Sequence, residues 1–215
     1  MRQAASKFLF SYWNNLRKER ATPMCGQIDP VALNPQIGHV FMLRCEADNT
    51  LNFALAGRQC EAVVGRPLRG LAFTSLWDDS HAREISQLCS RVAVGSLPVV
   101  IGASVQPEGY APEGLELLLL PLRQIGGEPG MILGSMALPP EVRWLGLRAC
   151  QPFNLISHRF LTCDATSKVH SSYARQQREH KSRQIMPLSP SLSLRRAHLA
   201  VYEGGLALKS RQELP

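Results

Sequence analysis

The order of strand-like and helix-like segments is the feature that most limits the fold of this 215-residue chain. Apolar or alternating runs predict five strands, at residues 38–46, 51–56, 99–105, 115–122 and 131–138. Two helices are predicted between the second and third strands, at about 58–64 and 79–94. Two strands, then helices, then three strands cannot form a repeating parallel β-α-β sheet. The order therefore predicts an α+β domain, a five-stranded antiparallel sheet with helices on one face.

Two further helices are predicted before the first strand. Phe8, Tyr12 and Leu16 recur at four-residue spacing, which places them on one face of a helix over residues 4–20. Asp29-Pro30 resembles an N-cap followed by proline at the first helical position. We therefore divide the chain into an N-terminal flanking helix, the α+β domain and a basic, largely flexible C-terminal extension, at residues 1–28, 29–147 and 148–215.

The positive charge is concentrated at the C-terminal end. The formal net charge of the chain is +7, and residues 151–215 carry 10 of its 24 basic and 4 of its 17 acidic side chains. The extension could neutralise the phosphates of a nucleic acid. It lacks the series of aromatic residues that stacks on bases. A solvated extension and a nucleic-acid-binding regulator are therefore the two alternatives for this segment.

Several classes of protein lack their sequence signals. The six cysteines include no Cys-x-x-Cys pair, which disfavours zinc-ribbon and thioredoxin-like sites, and we expect no metal site. No apolar run approaches the roughly 20 residues of a membrane helix, and no secretory signal is evident. We expect a cytoplasmic protein with reduced thiols and no membrane insertion. Nucleophile-elbow and glycine-rich phosphate motifs are missing, so we expect no catalytic residues and no enzyme.

An ordered series of short motifs runs through the chain. It contains Tyr12-Trp13, Leu16-Arg17, Ala56-Gly57, Leu76-Trp77, Leu118-Leu119-Leu120-Pro121-Leu122, Trp144-Leu145-Gly146, and His198-Leu199 with Gly204-Gly205. Together with the element order, the series resembles the PAS-domain family, in particular the single-domain PAS-like regulators of alphaproteobacteria. One departure is Met24-Cys25 after Pro23, where those proteins often carry an arginine.

The resemblance implies a PAS fold and a regulatory role. Such proteins act in bacterial signal transduction through protein–protein contacts, with histidine kinases or other regulators as partners. The resemblance implies no catalytic centre and no particular ligand.

A PAS sheet and its helices enclose an interior that either holds a small ligand or is filled by its own side chains. The candidate pocket residues are Phe53, Cys60, Phe73, Trp77, Leu118 and Met131. No cofactor is required. We do not expect haem, although His81 is a conceivable axial ligand, or flavin, for which Cys60 is the conceivable reactive thiol.

The candidate interaction residues lie mainly on the first helix. They are Tyr12, Trp13, Arg17 and Arg66. The aromatic face of this helix could pack on the sheet, on a second subunit in a homodimer, or in the groove of a kinase. The sequence leaves these three placements open.

Overall fold

A computed structural model describes residues 1–124, 130–150 and 152–162 of the chain. Within that part, the α-helices are α1 (Ala4–Arg17), α2 (Pro30–Leu33), α3 (Arg58–Val64) and α4 (Asp79–Gly95). The strands are β1 (Val40–Cys45), β2 (Leu51–Ala56), β3 (Val99–Val105), β4 (Glu113–Leu122), β5 (Met131–Ala137) and β6 (Asn154–Phe160). Short 3-10 turns occupy Cys25–Gln27, Asn34–His39 and Phe73–Leu76. The predicted α+β class is confirmed.

The strands form one antiparallel sheet in the order β2-β1-β5-β4-β3-β6. The prediction of five strands is wrong, because β6 adds a sixth beside β3. This strand lies inside the range predicted as a flexible extension, so that prediction does not hold for residues 152–162. Backbone pairing with β3 holds β6, and most of its side chains are exposed. Its sequence therefore lacks the alternation of apolar and polar residues by which strands are predicted.

Local signals explain where the helices begin and end. The Asp29 carboxylate accepts a hydrogen bond from the Val31 N–H at 2.9 Å, and Pro30 occupies the first turn of α2. The Asp78 carboxylate accepts from the Ser80 N–H at 3.0 Å and caps α4. Gly65 ends α3 in the left-handed conformation.

The sheet carries a core on each face. The inner core lies under α3 and α4 and includes Phe41, Phe53, Leu117 and Ile132. The outer core lies under α1, where buried side chains of the helix and of the central strands meet: Leu9, Trp13, Leu33, Val40, Leu118, Leu120, Leu122, Met131 and Leu133. The helices between β2 and β3 therefore cover one face as predicted, while α1 covers the other face, one of the placements that the sequence left open. Among the described residues, no helix has the length and apolar character needed to cross a membrane.

Candidate functional site

The interior between the sheet and the helices is filled by aromatic side chains. Phe41, Phe53, Phe73, Trp77 and Phe153 form a continuous series, with successive ring centroids 5.4, 5.8, 5.9 and 5.7 Å apart. Each of these rings is buried. Edge-to-face and tilted contacts of this kind add to the apolar area that the rings bury. The interior between the sheet and helices α3 and α4 is therefore occupied here by the protein's own side chains.

Four of the six predicted pocket residues meet in this inner core. Phe53, Cys60, Phe73 and Trp77 belong to it. Burial raises the pKa of the Cys60 thiol to about 12, so the thiolate that reactive cysteines use is not available there.

Leu118 and Met131 do not join the other four, and the prediction that all six line one pocket is wrong. Both belong to the outer core beneath α1. Side chains alternate between the faces of a strand. Leu117 and Leu119 of β4 therefore face the inner core, while Leu118 between them faces α1. The run of four leucines hid this alternation, because every position in it is apolar.

Two buried indole N–H groups have no hydrogen-bond partner among the described residues. They belong to Trp77 and Trp144, both in the inner core. A buried donor without an acceptor is costly, and in most proteins water or a ligand removes that cost. These two groups are therefore the positions in the core where a small hydrogen-bond acceptor would be stabilised.

The predicted interaction residues of α1 bind the chain's own sheet and loops. The Trp13 indole N–H donates to the Pro121 carbonyl oxygen at 2.8 Å, and the ring is fully buried. The Arg17 guanidinium lies 5.7 Å from the Trp13 ring centroid and is only 4% exposed. The Tyr12 hydroxyl accepts a hydrogen bond from the Asp29 N–H at 2.8 Å. While α1 is docked, Trp13 and Arg17 are not accessible to a partner.

Arg66 is the one member of that predicted set that lies on the surface. It lines a small open pocket of about 290 Å³, together with Ser75 and Cys150. Burial raises the pKa of the Cys150 thiol to about 11. Arg66 is separated from the α1 residues, so the structure does not bring the four predicted residues together.

A groove lies on the outer face of the sheet, between the N-terminus of α1 and β6. Its volume is about 740 Å³. Gly102 of β3 and Gly114 of β4 supply part of its wall and contribute no side chains there, and Ile156 and Arg159 of β6 line its rim. Ile156 is 66% exposed. We call this feature the outer groove.

The groove depends on how α1 is anchored. The carboxylate of Glu116 on β4 accepts hydrogen bonds from the backbone N–H groups of Arg2, at 2.7 Å, and Gln3, at 3.1 Å. A carboxylate at this position also suits the positive end of the helix dipole. The anchor places the start of α1 beside β3 and β6 rather than over them. The sequence analysis did not predict this groove. Two glycines, which have no side chains, and the unpredicted strand β6 form it.

His81 and the basic side chains that the sequence analysis considered for haem and for nucleic-acid binding lie in different parts of the chain. His81 lies half-buried in the first turn of α4, with its Nδ1 3.3 Å from the Ser80 hydroxyl. Among the described residues, no group of His, Cys, Asp and Glu side chains could hold a metal ion. The basic side chains proposed for nucleic-acid binding all lie outside the described residues, so that alternative stays a prediction; they are Arg175, Arg178, Lys181, Arg183, Arg195 and Arg196.

Comparison with known proteins gives one match. The sequence model of a family described as the PAS domain matches residues 1–137, which run from the N-terminus to the last residue of β5. No curated protein and no solved structure matches the chain. Strand β6 and the connector before it lie beyond the matched residues.

Proposed function

Because the chain belongs to the PAS-domain family, we propose that it is a sensory or regulatory protein of bacterial signal transduction that acts through protein–protein contacts. Its partner would be a histidine kinase or another regulator, and it would act in the cytoplasm. We propose that it is not an enzyme. PAS domains are generally sensory, and no catalytic arrangement is needed for such a role.

The outer groove is the observation that carries this proposal. It has a volume of about 740 Å³, and Gly102 and Gly114 leave part of that space open because they have no side chains. Exposed apolar groups such as Ile156 beside charged groups such as Arg159 are typical of a contact surface with a polar rim. The groove is therefore our candidate for the surface that contacts the partner.

A small ligand in the inner core is a second element of the proposal. Its support is the pair of unpartnered indole N–H groups of Trp77 and Trp144. A ligand that uses them would carry a hydrogen-bond acceptor, and the aromatic side chains would have to repack around it. Native mass spectrometry of the full chain tests this element. A discrete mass above that of the polypeptide supports it, and loss of that mass in Trp77→Phe assigns the ligand to the core.

The partner surface can be tested by filling the groove. A Cβ atom added at Gly114 would have nothing within 4 Å, so the side chain of Gly114→Leu starts in open space and extends into the groove. Gly26 is equally open and does not line the groove, which makes Gly26→Leu the matched control. Both variants should keep the stability of the wild type.

The assay captures partners from lysate of the source cells with the tagged full-length chain and identifies them by mass spectrometry. Wild type and Gly26→Leu should enrich the same histidine kinase or regulator, and Gly114→Leu should lose it. Equal enrichment by all three chains would show that the groove is not the contact surface. Absence of any signalling protein from all captures would contradict the proposed role.

A further inference from the structure

One edge of the sheet is open along β6. Among residues 1–124, 130–150 and 152–162, β3 pairs with one side of β6 and no strand pairs with the other. The opposite edge is different, because Phe53 of β2 donates its N–H to the Leu71 carbonyl at 2.9 Å and accepts from the Gly70 N–H at 2.8 Å. The chain's own backbone thus pairs with Phe53 on the β2 edge and, through Leu76 and Asp78, with Phe153 directly before β6. It leaves the backbone of β6 itself, Asn154–Phe160, able to pair with another strand.

The hydrogen-bond pattern identifies the backbone groups that face this open edge. The Leu161 N–H donates to the Pro98 carbonyl at 2.8 Å, next to the pair formed by Phe160 and Val99. Bonded and non-bonded pairs alternate in an antiparallel ladder. Leu161 therefore points its backbone towards β3, while His158 and Phe160 direct their N–H and C=O groups outwards. These four groups are the pairing positions for an added strand.

Basic side chains surround the same edge. Arg159 lies exposed on the outer face, and Arg2 lines the outer groove with it. On the inner face, the guanidinium carbon of Arg91 lies 4.3 Å from the ring centroid of Phe160. An added strand would lie beside β6 in the plane of the sheet. Its side chains would meet positive charge on both faces.

The acidic groups nearby already have partners. Glu84 of α4 faces the His158 ring, with Oε1 3.5 Å from Nδ1. Glu116 accepts the N–H groups of Arg2 and Gln3. The Glu84 carboxylate is neutralised only when His158 is protonated. The guanidinium groups of Arg2, Arg91 and Arg159 nevertheless outnumber these two carboxylates, and charge complementarity favours a partner segment that carries carboxylates.

We propose that the open edge of β6 binds an extended acidic segment of a partner protein, which adds to the sheet as a seventh strand. The backbone groups of His158 and Phe160 hold the segment, and Arg91 and Arg159 select its carboxylates. This inference deepens the proposed function, because it names the chemistry of a partner segment. It concerns the backbone edge of the sheet; Arg159 also lies at the rim of the outer groove, whereas Gly114 lines only the groove.

The test uses the full chain and a fluorescently labelled peptide of eight residues with the sequence Val-Val-Glu-Glu-Val-Val-Glu-Glu, which carries glutamates on both faces when it is extended. A peptide with lysine in place of glutamate is the composition control. In the protein, Arg159→Glu reverses a selecting charge, and His158→Pro removes an outward N–H without taking one from the β3 pairing. Arg58→Glu, on α3, is the charge control away from β6.

The acidic peptide should bind, and the lysine peptide should bind at least tenfold more weakly. Arg159→Glu should weaken the acidic peptide about tenfold, and Arg58→Glu should change its affinity less than twofold. Amide hydrogen exchange should slow in residues 154–160 when the peptide is added. Should His158→Pro fail to fold, the charge reversal and the exchange data decide alone.

Three results would overturn the proposal. In the first, the acidic peptide does not bind at concentrations up to roughly 1 mM. In the second, the acidic and lysine peptides bind equally. In the third, the peptide slows amide exchange outside β6. A doubled mass with β6 protected in the absence of peptide would assign the edge to a second copy and would also overturn it. Gly114→Leu fills the groove and leaves the edge open, so it should bind the peptide normally. Failure at the edge is therefore distinguishable from failure of the groove.

Discussion

Phe153→Ala is the change that most directly tests the sixth strand. Phe153 is 1% exposed, and its ring meets Trp77 edge-to-face at 5.7 Å and 82°. Its backbone is held as well, because its N–H donates to the Leu76 carbonyl at 2.7 Å and its carbonyl accepts from the Asp78 N–H at 3.0 Å. Truncating a fully buried phenylalanine costs about 3–5 kcal/mol. We therefore expect the free energy of unfolding to fall by about 4 kcal/mol.

Urea denaturation of the full chain measures this cost. With a urea m-value of about 2 kcal/mol/M, this loss of unfolding free energy lowers the midpoint urea concentration by about 2 M. Leu147→Ala is the matched control, since Leu147 lies in the same segment between β5 and β6 but is 74% exposed. Its cost should stay within about 0.5 kcal/mol. If Phe153→Ala costs as little as Leu147→Ala, residues 152–162 do not belong to the folded domain, and the reasoning is refuted.

Three further predictions concern Trp13, Gly65 and the two buried cysteines Cys60 and Cys89. Trp13→Ala should cost about 4 kcal/mol in urea denaturation because the ring is fully buried under α1; a loss of dimer mass without a loss of stability would contradict the intramolecular role. Gly65→Ala should destabilise by at least about 1 kcal/mol, because Gly65 has φ +76° and its added Cβ would lie 2.7 Å from the Ala149 Cα; an unchanged midpoint would contradict that contact. Burial raises the pKa of the Cys60 and Cys89 thiols to about 12, so at pH 8 both should react with a disulfide reagent only at the rate of unfolding; immediate labelling would show that they are accessible.

Much of the fold could be predicted because local signals and tertiary packing agree in its first 137 residues. The helix predicted at 79–94 spans Asp79–Gly95, and its cap and its buried face were both visible in the sequence. The strands at 99–105 and 131–138 were likewise found within a residue or so of their observed ends. In each case, a periodic apolar pattern lies between turn residues.

The sequence did not reveal β6 because edge strands need not be apolar. Among its seven residues, from Asn154 to Phe160, most side chains are exposed, and the register shifts opposite Gly102 and Ala103. A shift of this kind interrupts the two-residue period that identifies strands. The one strong signal was Phe153, directly before the strand, and a lone aromatic residue does not distinguish a docked strand from a linker.

The candidate sites show a related limit of sequence reasoning. Large aromatic residues on α1 suggested a partner surface, but Trp13 uses its indole N–H on Pro121 and lies under Arg17. Composition identifies a face that must be buried and does not identify what buries it. The outer groove shows the opposite case, because the small residues Gly102 and Gly114 carry no signal of their own.

Phe153, directly before β6, links the inner core to the open edge of the sheet. Phe153 contacts Trp77 in the inner core, and the residue after it begins β6, whose outer edge is open. Any repacking of the core that moves the Trp77 ring also changes the site that Phe153 occupies, because close-packed interiors do not absorb volume changes locally. The position of Phe153 in turn sets where β6 starts along β3. A ligand at the unpartnered indole N–H groups would therefore alter the affinity of the β6 edge for the acidic peptide. Phe153→Leu keeps an apolar side chain but removes the ring contact with Trp77. In this variant, the effect of the ligand on peptide affinity should fall by more than the peptide affinity itself.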